Sequence, residues 1–120
     1  MKNILVVDDQ AIIRQLLEIS LRSGRRRVFL AESGERAVQL ALQRHFDLII
    51  VDLMMPGGMD GFETIEYLQK NAADRLCPIM ILSAKDQQAE RDRARLSRGY
   101  RIIWSNRSSW MTSLQRLTIY

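Results

Sequence analysis

Three short apolar runs in this chain end on oxygen-bearing side chains: Ile4 to Val7 on Asp8 and Asp9, Leu48 to Val51 on Asp52, and Pro78 to Leu82 on Ser83. A short apolar run bounded by polar residues reads as a strand buried in a parallel sheet. An ionised carboxylate is too costly to leave inside a core, so an acid directly behind such a run belongs at the sheet's carboxyl edge. Open α/β sheets place their ligands there. In a parallel sheet all three ends share that edge, where clustered carboxylates repel one another until a hard divalent cation relieves them. Oxygen-only ligation with waters retained suits Mg²⁺. A carboxylate beside such an ion can attack a phosphoryl group and carry it as an acyl phosphate, with Ser83 as one donor to its oxygens. Most of these residues also have a purely structural explanation. An Asp pair after a strand can be a helix cap, with Asp9 capping the first helix, and Ser83 can begin a turn. Asp52 caps nothing obvious and is followed by apolar Leu53, Met54 and Met55.

The elements that must position these groups alternate along the chain. Ile4 to Val7 reads as the first strand. From Gln10 to Arg22, Ile13, Leu16, Leu17 and Leu21 recur at helical spacing, and Ser23-Gly24 stops that helix. Val28 to Ala31 is the second strand, and Ser33-Gly34-Glu35 opens a helix whose inner face is Ala37, Val38, Ala41 and Leu42. The central stretch, HFDLIIVDLMMP from His45 to Pro56, carries the third strand. A Gly- and Pro-rich loop and a helix with Phe62, Ile65 and Leu68 inside follow it. Strands and amphipathic helices in this order call for right-handed βαβ crossovers and a parallel sheet with helices on both faces.

Composition narrows the classes. With 120 residues, 47% hydrophobic and 27% charged, the chain is expected to form one globular domain with a sizeable core. Its apolar runs are too short to cross a bilayer, and MKNILVVDDQ lacks the pattern of a signal peptide, so a cytoplasmic location is expected. The single cysteine, Cys77, fits a reducing compartment and reads as apolar filler before Pro78. The net charge of +4 is unevenly spread. Residues 1–90 carry 11 basic and 13 acidic side chains, whereas residues 91–120 carry 7 Arg and only Asp92. Arg25, Arg26 and Arg27 read as a solvated edge, and no nucleic-acid role is expected for this domain.

Taken together, ILVVDDQ, AESGERAVQLAL, DLIIVDLMMPGGMDGFE and PIMILSAKDQQAERDRA resemble the receiver domain of two-component response regulators (the CheY-like superfamily), in the same order over about residues 2–94. The resemblance implies a flavodoxin-like, doubly wound five-stranded parallel sheet in the order 2-1-3-4-5. It also implies roles. Asp52 accepts a phosphoryl group from a sensor histidine kinase, Asp9 and the Met54 carbonyl bind Mg²⁺ with Asp52, Asp8 acts on the metal largely through water, and Ser83 is the switch hydroxyl. The downstream partner is an effector protein or an output domain. Such a receiver is not an enzyme beyond its own phosphoryl transfer and dephosphorylation. The alternative is a degenerate receiver acting as a phosphorylation-independent interaction module.

The chain departs from the family pattern in two places. Gly57 and Gly58 stand between Met-Pro and Met-Asp-Gly, where the family usually has one residue, and two glycines raise the loop's flexibility. Residues 95–120 form a divergent tail, RLSRGYRIIWSNRSSWMTSLQRLTIY in its last 26 positions, without the family's Lys-Pro-Phe; Lys85 follows Ser83 too closely to replace that lysine. Tyr100 to Trp104 is apolar and β-prone enough for a fifth strand, and Trp110, Leu114 and Leu117 share one helical face, so the fold can close, alone or by pairing an exposed edge with a second chain. A shift of reading frame near Ala94 or Arg95 accounts for both the lost motif and the Arg excess. Read from each third base, the codons of Tyr100 through Thr112 permit Ser-Asp-Tyr-Leu-Val-Lys-Pro-Phe, a hydrophobic pair and then a forced Asp-Asp. The coding DNA tests this directly: its displaced frame is expected to encode Lys-Pro-Phe across Ser105 to Ser108, and bases that cannot do so reject the shift.

Overall fold

The computed structural model describes residues 2–53, 55, 58–71, 77–83 and 102–106, with Ser83 and residues 102–106 described by their backbone. In chain order the elements are β1 (Lys2–Val7), α1 (Ala11–Leu21), β2 (Arg26–Ala31), α2 (Gly34–Gln43), β3 (Leu48–Asp52), α3 (Gly61–Asn71), β4 (Ile79–Ser83) and β5 (Ile102–Asn106). The strands form one sheet in the order β2-β1-β3-β4-β5, every pairing parallel. This is the flavodoxin-like arrangement implied by the family resemblance. The fifth strand overlaps the expected Tyr100 to Trp104 stretch at Ile102 to Trp104 and runs on through Ser105 and Asn106, while Trp110, Leu114 and Leu117 lie outside the described residues.

The period of two along each strand sorts the core into two layers. Leu5 and Val7, Ile49 and Val51, and Ile79 and Ile81 face one side, where α2 and α3 cover them with Ala37, Val38, Ala41, Phe62, Ile65 and Leu68. Ile4 and Val6, Leu48 and Ile50, and Met80 and Leu82 face the other, packed against Leu17 and Leu21 of α1. All five residues of β3 are buried, which explains why its sequence shows no polar alternation.

Two helix-face expectations need correction. Leu16 is 53% exposed and Leu42 is 46% exposed, whereas Leu40 is buried. At about 100° per residue, Leu16 lies well around the helix from the Leu17–Leu21 seam, and Leu42 lies farther from the Ala37–Ala41 seam than Leu40 does. A hydrophobic residue adjacent in sequence to a core position is therefore core only where its direction around the helix keeps it over the sheet. The strand boundaries also shift. β2 starts at Arg26 rather than Val28, because Lys2 pairs with Arg26 and Asn3 with Arg27 at the polar end of the ladder. Pro78 stays outside β4, although its carbonyl accepts the Ile49 N–H at 3.1 Å.

No described helix is long and apolar enough to cross a membrane. Cys77 packs partly buried against the α2–α3 side of the core, in keeping with its reading as filler. Burial pushes its thiol up from 9.0 to about 12, with the charge of Asp47 adding to the shift and a backbone hydrogen bond opposing it. The native thiol should therefore react slowly with a disulfide reagent at pH 8 and quickly once denaturant opens the core. The linked effect on stability is present below the ordinary thiol range and is lost as pH climbs from 9.0 toward about 12, because only the unfolded thiol ionises there. Urea melts at pH 7 and pH 10 should show a larger drop for the parent chain than for Cys77→Ala.

Candidate functional site

The register that builds the sheet also assembles the acids. Val7 of β1 pairs with Val51 of β3, so the next residues, Asp8 and Asp52, emerge side by side at the carboxyl edge. Asp8 is 0% exposed and Asp52 1%, whereas Asp9 is exposed. One carboxylate oxygen from each of Asp8, Asp9 and Asp52 lies within 4.8 Å of the others. The three acids drawn from two distant parts of the sequence thus converge as expected. Asp52 also pairs with Leu82, which places Ser83 one step farther along the same edge, next to the acid cluster. The Ser83 side chain and Met54, the source of the backbone carbonyl expected to bind metal, lie outside the described residues.

The local backbone around the acids is held by specific hydrogen bonds. The Asp8 N–H donates to the Ala31 carbonyl at 3.1 Å, extending the β1–β2 ladder by one residue. Its Oδ1 accepts the Gln10 N–H at 2.9 Å, and Arg14 Nη1 donates to its main-chain carbonyl at 2.7 Å. Asp9 is not the cap of α1. Gln10 occupies that position and makes no side-chain capping bond, so the capping explanation for Asp9 fails and its carboxylate stays with the acid cluster. Arg14 was legible only as a polar spacer on a helix. Its guanidinium reaches back six positions to close the β1–α1 turn.

Past Asp52, the Leu53 N–H donates to the Leu82 carbonyl at 3.0 Å, and the Gly61 N–H donates to the Leu53 carbonyl at 3.3 Å. α3 begins directly against the acid-bearing strand. Asp60 Oδ1 accepts the Glu63 N–H at 2.8 Å, and Glu63 Oε1 accepts the Asp60 N–H at 3.3 Å, a reciprocal capping box. The Asp-x-x-Glu spacing of residues 60–63 is its sequence signal. Gly61 is needed for close approach: a Cβ there would stand 2.6 Å from the Asp52 carbonyl oxygen and 2.7 Å from Leu53 Cα, both backbone atoms that cannot swing aside.

Chemically the cluster offers three carboxylate oxygen donors, two of them from buried residues, at the carboxyl edge of the sheet. This donor set fits a hard divalent cation, for which mutual repulsion of the carboxylates provides the driving force. At the same edge β5 pairs with β4 through Leu82 with Ser105 and Ser83 with Asn106. The residues brought to the place where the family resemblance implies a lysine are therefore an uncharged Ser and an uncharged Asn.

Sheet order, buried acid pair and edge placement define a receiver-type α/β domain. The chain belongs to the response regulator receiver domain family, whose model matches residues 4–103. It is 42% identical over 88 residues to the transcriptional regulatory protein ResD of Bacillus subtilis (strain 168), an alignment covering 73% of this chain and 35% of ResD. It is 34% identical over 91 residues to protein PilH of Pseudomonas aeruginosa, covering 76% of this chain and 74% of PilH. The chain thus spans about a third of ResD's length and most of PilH's. Among solved structures, chemotaxis protein CheY4 of Vibrio cholerae superposes with a TM-score of 0.81 at 27% identity, over 97% of this chain and 98% of CheY4. Response regulator TrrA of Thermotoga maritima, solved in complex with Mg(2+)-BeF, superposes with a TM-score of 0.75 at 28% identity, over 97% of this chain and 96% of TrrA. The chain is a two-component signal receiver, a signalling protein rather than a classical enzyme.

Replacing Gly61 by Ala is expected to force the start of α3 away from Asp52 and to destabilise the fold by about 1–3 kcal/mol. Urea denaturation reads this, and an unchanged midpoint would show that the contact gives way freely.

Proposed function

We propose that this receiver, in the cytoplasm, accepts a phosphoryl group on Asp52 from a sensor histidine kinase, with Mg²⁺ held by Asp8, Asp9 and Asp52. The resulting change is then passed to an effector protein or output domain. The observation that carries the reading is the convergence of the three carboxylates within 4.8 Å at the sheet edge. The complex of TrrA with Mg(2+)-BeF supports the choice of metal.

In the transfer, an Asp52 carboxylate oxygen attacks phosphorus in line with the departing group. The new P–O bond makes an acyl phosphate as the P–N bond to the donor imidazole breaks, and the imidazole takes a proton as it leaves. The buried setting of Asp52 limits the freedom of the attacking oxygen. Magnesium, when bound, offsets the negative charge that would otherwise keep a phosphoryl group away. Asp8, held through Gln10 and Arg14, is the anchored member of the cluster and acts on the metal mainly through water, whereas exposed Asp9 can adjust to it. Ser83 supplies a hydroxyl donor to the phosphoryl oxygens and reports the modification through β4. Slow hydrolysis of the acyl phosphate on the same residues resets the domain.

Residues 1–94 carry this chemistry, and residues 95–120 complete the domain in a divergent way. With Ser105 and Asn106 at the edge, the tail supplies no lysine charge to the phosphoryl group, a contact of about 1.5–3 kcal/mol. Nucleophile and metal ligands are unaffected, so the expectation is slower or shorter-lived phosphorylation rather than none.

Intact-mass measurement after incubation with Mg²⁺ and acetyl phosphate tests the proposal. One added phosphoryl group is expected on the parent chain and none on Asp52→Asn. A parent chain that binds Mg²⁺ yet gains no mass would overturn phosphoryl acceptance and leave a phosphorylation-independent interaction module.

A further inference from the structure

The connection from β3 to α3 carries Gly57 and Gly58, one residue more than the family pattern, directly behind the acceptor acid. The beginning of α2 grips its far end by two independent contacts. The Glu35 carboxylate accepts the Met59 N–H at 3.1 Å, across 24 positions of sequence. The Met59 side chain packs beneath Gly34, where a Cβ would stand 3.1 Å from both Met59 Cβ and Cγ. Ser33 fixes the turn that presents both residues, its hydroxyl accepting the Arg36 N–H at 3.1 Å.

The grip reaches the acceptor acid in two residues. Asp60 is the capping residue of α3, and Gly61 donates to the Leu53 carbonyl and rests on the carbonyl of Asp52. Holding Met59 therefore fixes one end of the loop relative to the strand end that carries the carboxylate.

We propose that Glu35 is a positioning residue for the acid cluster: by tethering Met59 beside the start of α3 it holds the backbone that rests on Asp52 in place for Mg²⁺ binding. The proposal rests on the metal and phosphoryl reading of Asp8, Asp9 and Asp52 given above. Glu35 itself touches neither metal nor phosphoryl group. Its contribution is to lower the conformational freedom that metal binding must remove.

A competing explanation is that Glu35, an acid in the first turn of α2, serves only the helix dipole or the general negative field. Two substitutions separate these roles. Glu35→Ala removes charge and acceptor, whereas Glu35→Gln removes the charge and keeps an acceptor oxygen. Gly58 offers an independent route, because its backbone is outside the left-handed region and, among the described residues, an added Cβ would meet only Glu35 oxygens, at 3.5 Å and 3.7 Å. Gly58→Ala should stiffen the loop without strain.

The measurements are calorimetric titration with MgCl₂, amide hydrogen exchange of Met59 in the metal-free chain, and phosphorylation by acetyl phosphate across Mg²⁺ concentrations. Glu35→Ala should bind Mg²⁺ about twofold to tenfold more weakly and lose protection at the Met59 amide. Its phosphorylation rate at saturating Mg²⁺ should stay close to that of the parent. Glu35→Gln should keep affinity and protection within about twofold of the parent, the fraction of a kcal/mol expected for a neutral acceptor. Adding Gly58→Ala to Glu35→Ala should recover part of the lost affinity. Equal affinity and equal Met59 protection in Glu35→Ala and the parent would overturn the proposal. So would a Glu35→Gln chain as weak as Glu35→Ala, which would assign the effect to charge. A parent chain that takes up no Mg²⁺ overturns the underlying site reading and the proposal together, and the parent titration alone identifies that outcome.

Discussion

Two ionisable carboxylates, Asp8 and Asp52, are buried side by side at the ends of adjacent strands, and the architecture around them follows from that constraint. Like charges in a poorly solvated place repel strongly, so the arrangement persists only where backbone hydrogen bonding and packing hold it from several sides. The ladder supplies this to the last residue. Asp8 bonds to Ala31, and Leu53 bonds to Leu82, so each acid sits between paired backbone groups. Neutralising the cluster should therefore favour the folded state, because a cation bound only by the native edge draws the equilibrium toward it.

The helices serve that edge unequally. α1 seals one face through Leu17 and Leu21 and returns Arg14 to the Asp8 carbonyl, so it is both core and brace. α3 comes closer still. Gly61 leaves no room for a side chain between the helix start and the Asp52 backbone, and the Asp60–Glu63 box satisfies the N–H groups freed at that start. α2 and α3 meet where Gly34 lies against Met59 and the Thr64 hydroxyl, and Thr64 Oγ1 turns its donor to the Asp60 carbonyl at 2.7 Å. A movement at Asp52 would thus be felt first in α3 and at the α2–α3 contact.

The tail poses a different problem. β5 pairs with β4 from Ile79 with Ile102 to Ser83 with Asn106, so a sequence unlike the family's still fills the outer strand position. A short, apolar, β-branched segment is sufficient for that role, since an outer strand asks for ladder hydrogen bonds and one packed face rather than for particular side chains. Chemistry is less forgiving than pairing. In the proposed phosphoryl transfer a lysine at that edge would bring a cation to the phosphoryl oxygens, and neither Ser105 nor Asn106 can.

Much of this was legible in the residues themselves. Four short apolar runs, each closed by a polar group, determine a parallel sheet, because strands buried on both faces cannot alternate and ionised acids cannot lie within them. Ser33 as a cap and Phe62, Ile65 and Leu68 as a buried stripe were equally readable, being local in sequence. Leu16 and Leu42 were misread because a hydropathy pattern marks a helix's apolar arc without saying where its edge falls. That depends on the width of the sheet beneath it. The grip of Glu35 on Met59 and the approach of Gly61 to Asp52 belong to tertiary structure alone. They join segments through distances and directions that no local spacing encodes, and only the closing of α2 and α3 over the end of β3 brings them within reach.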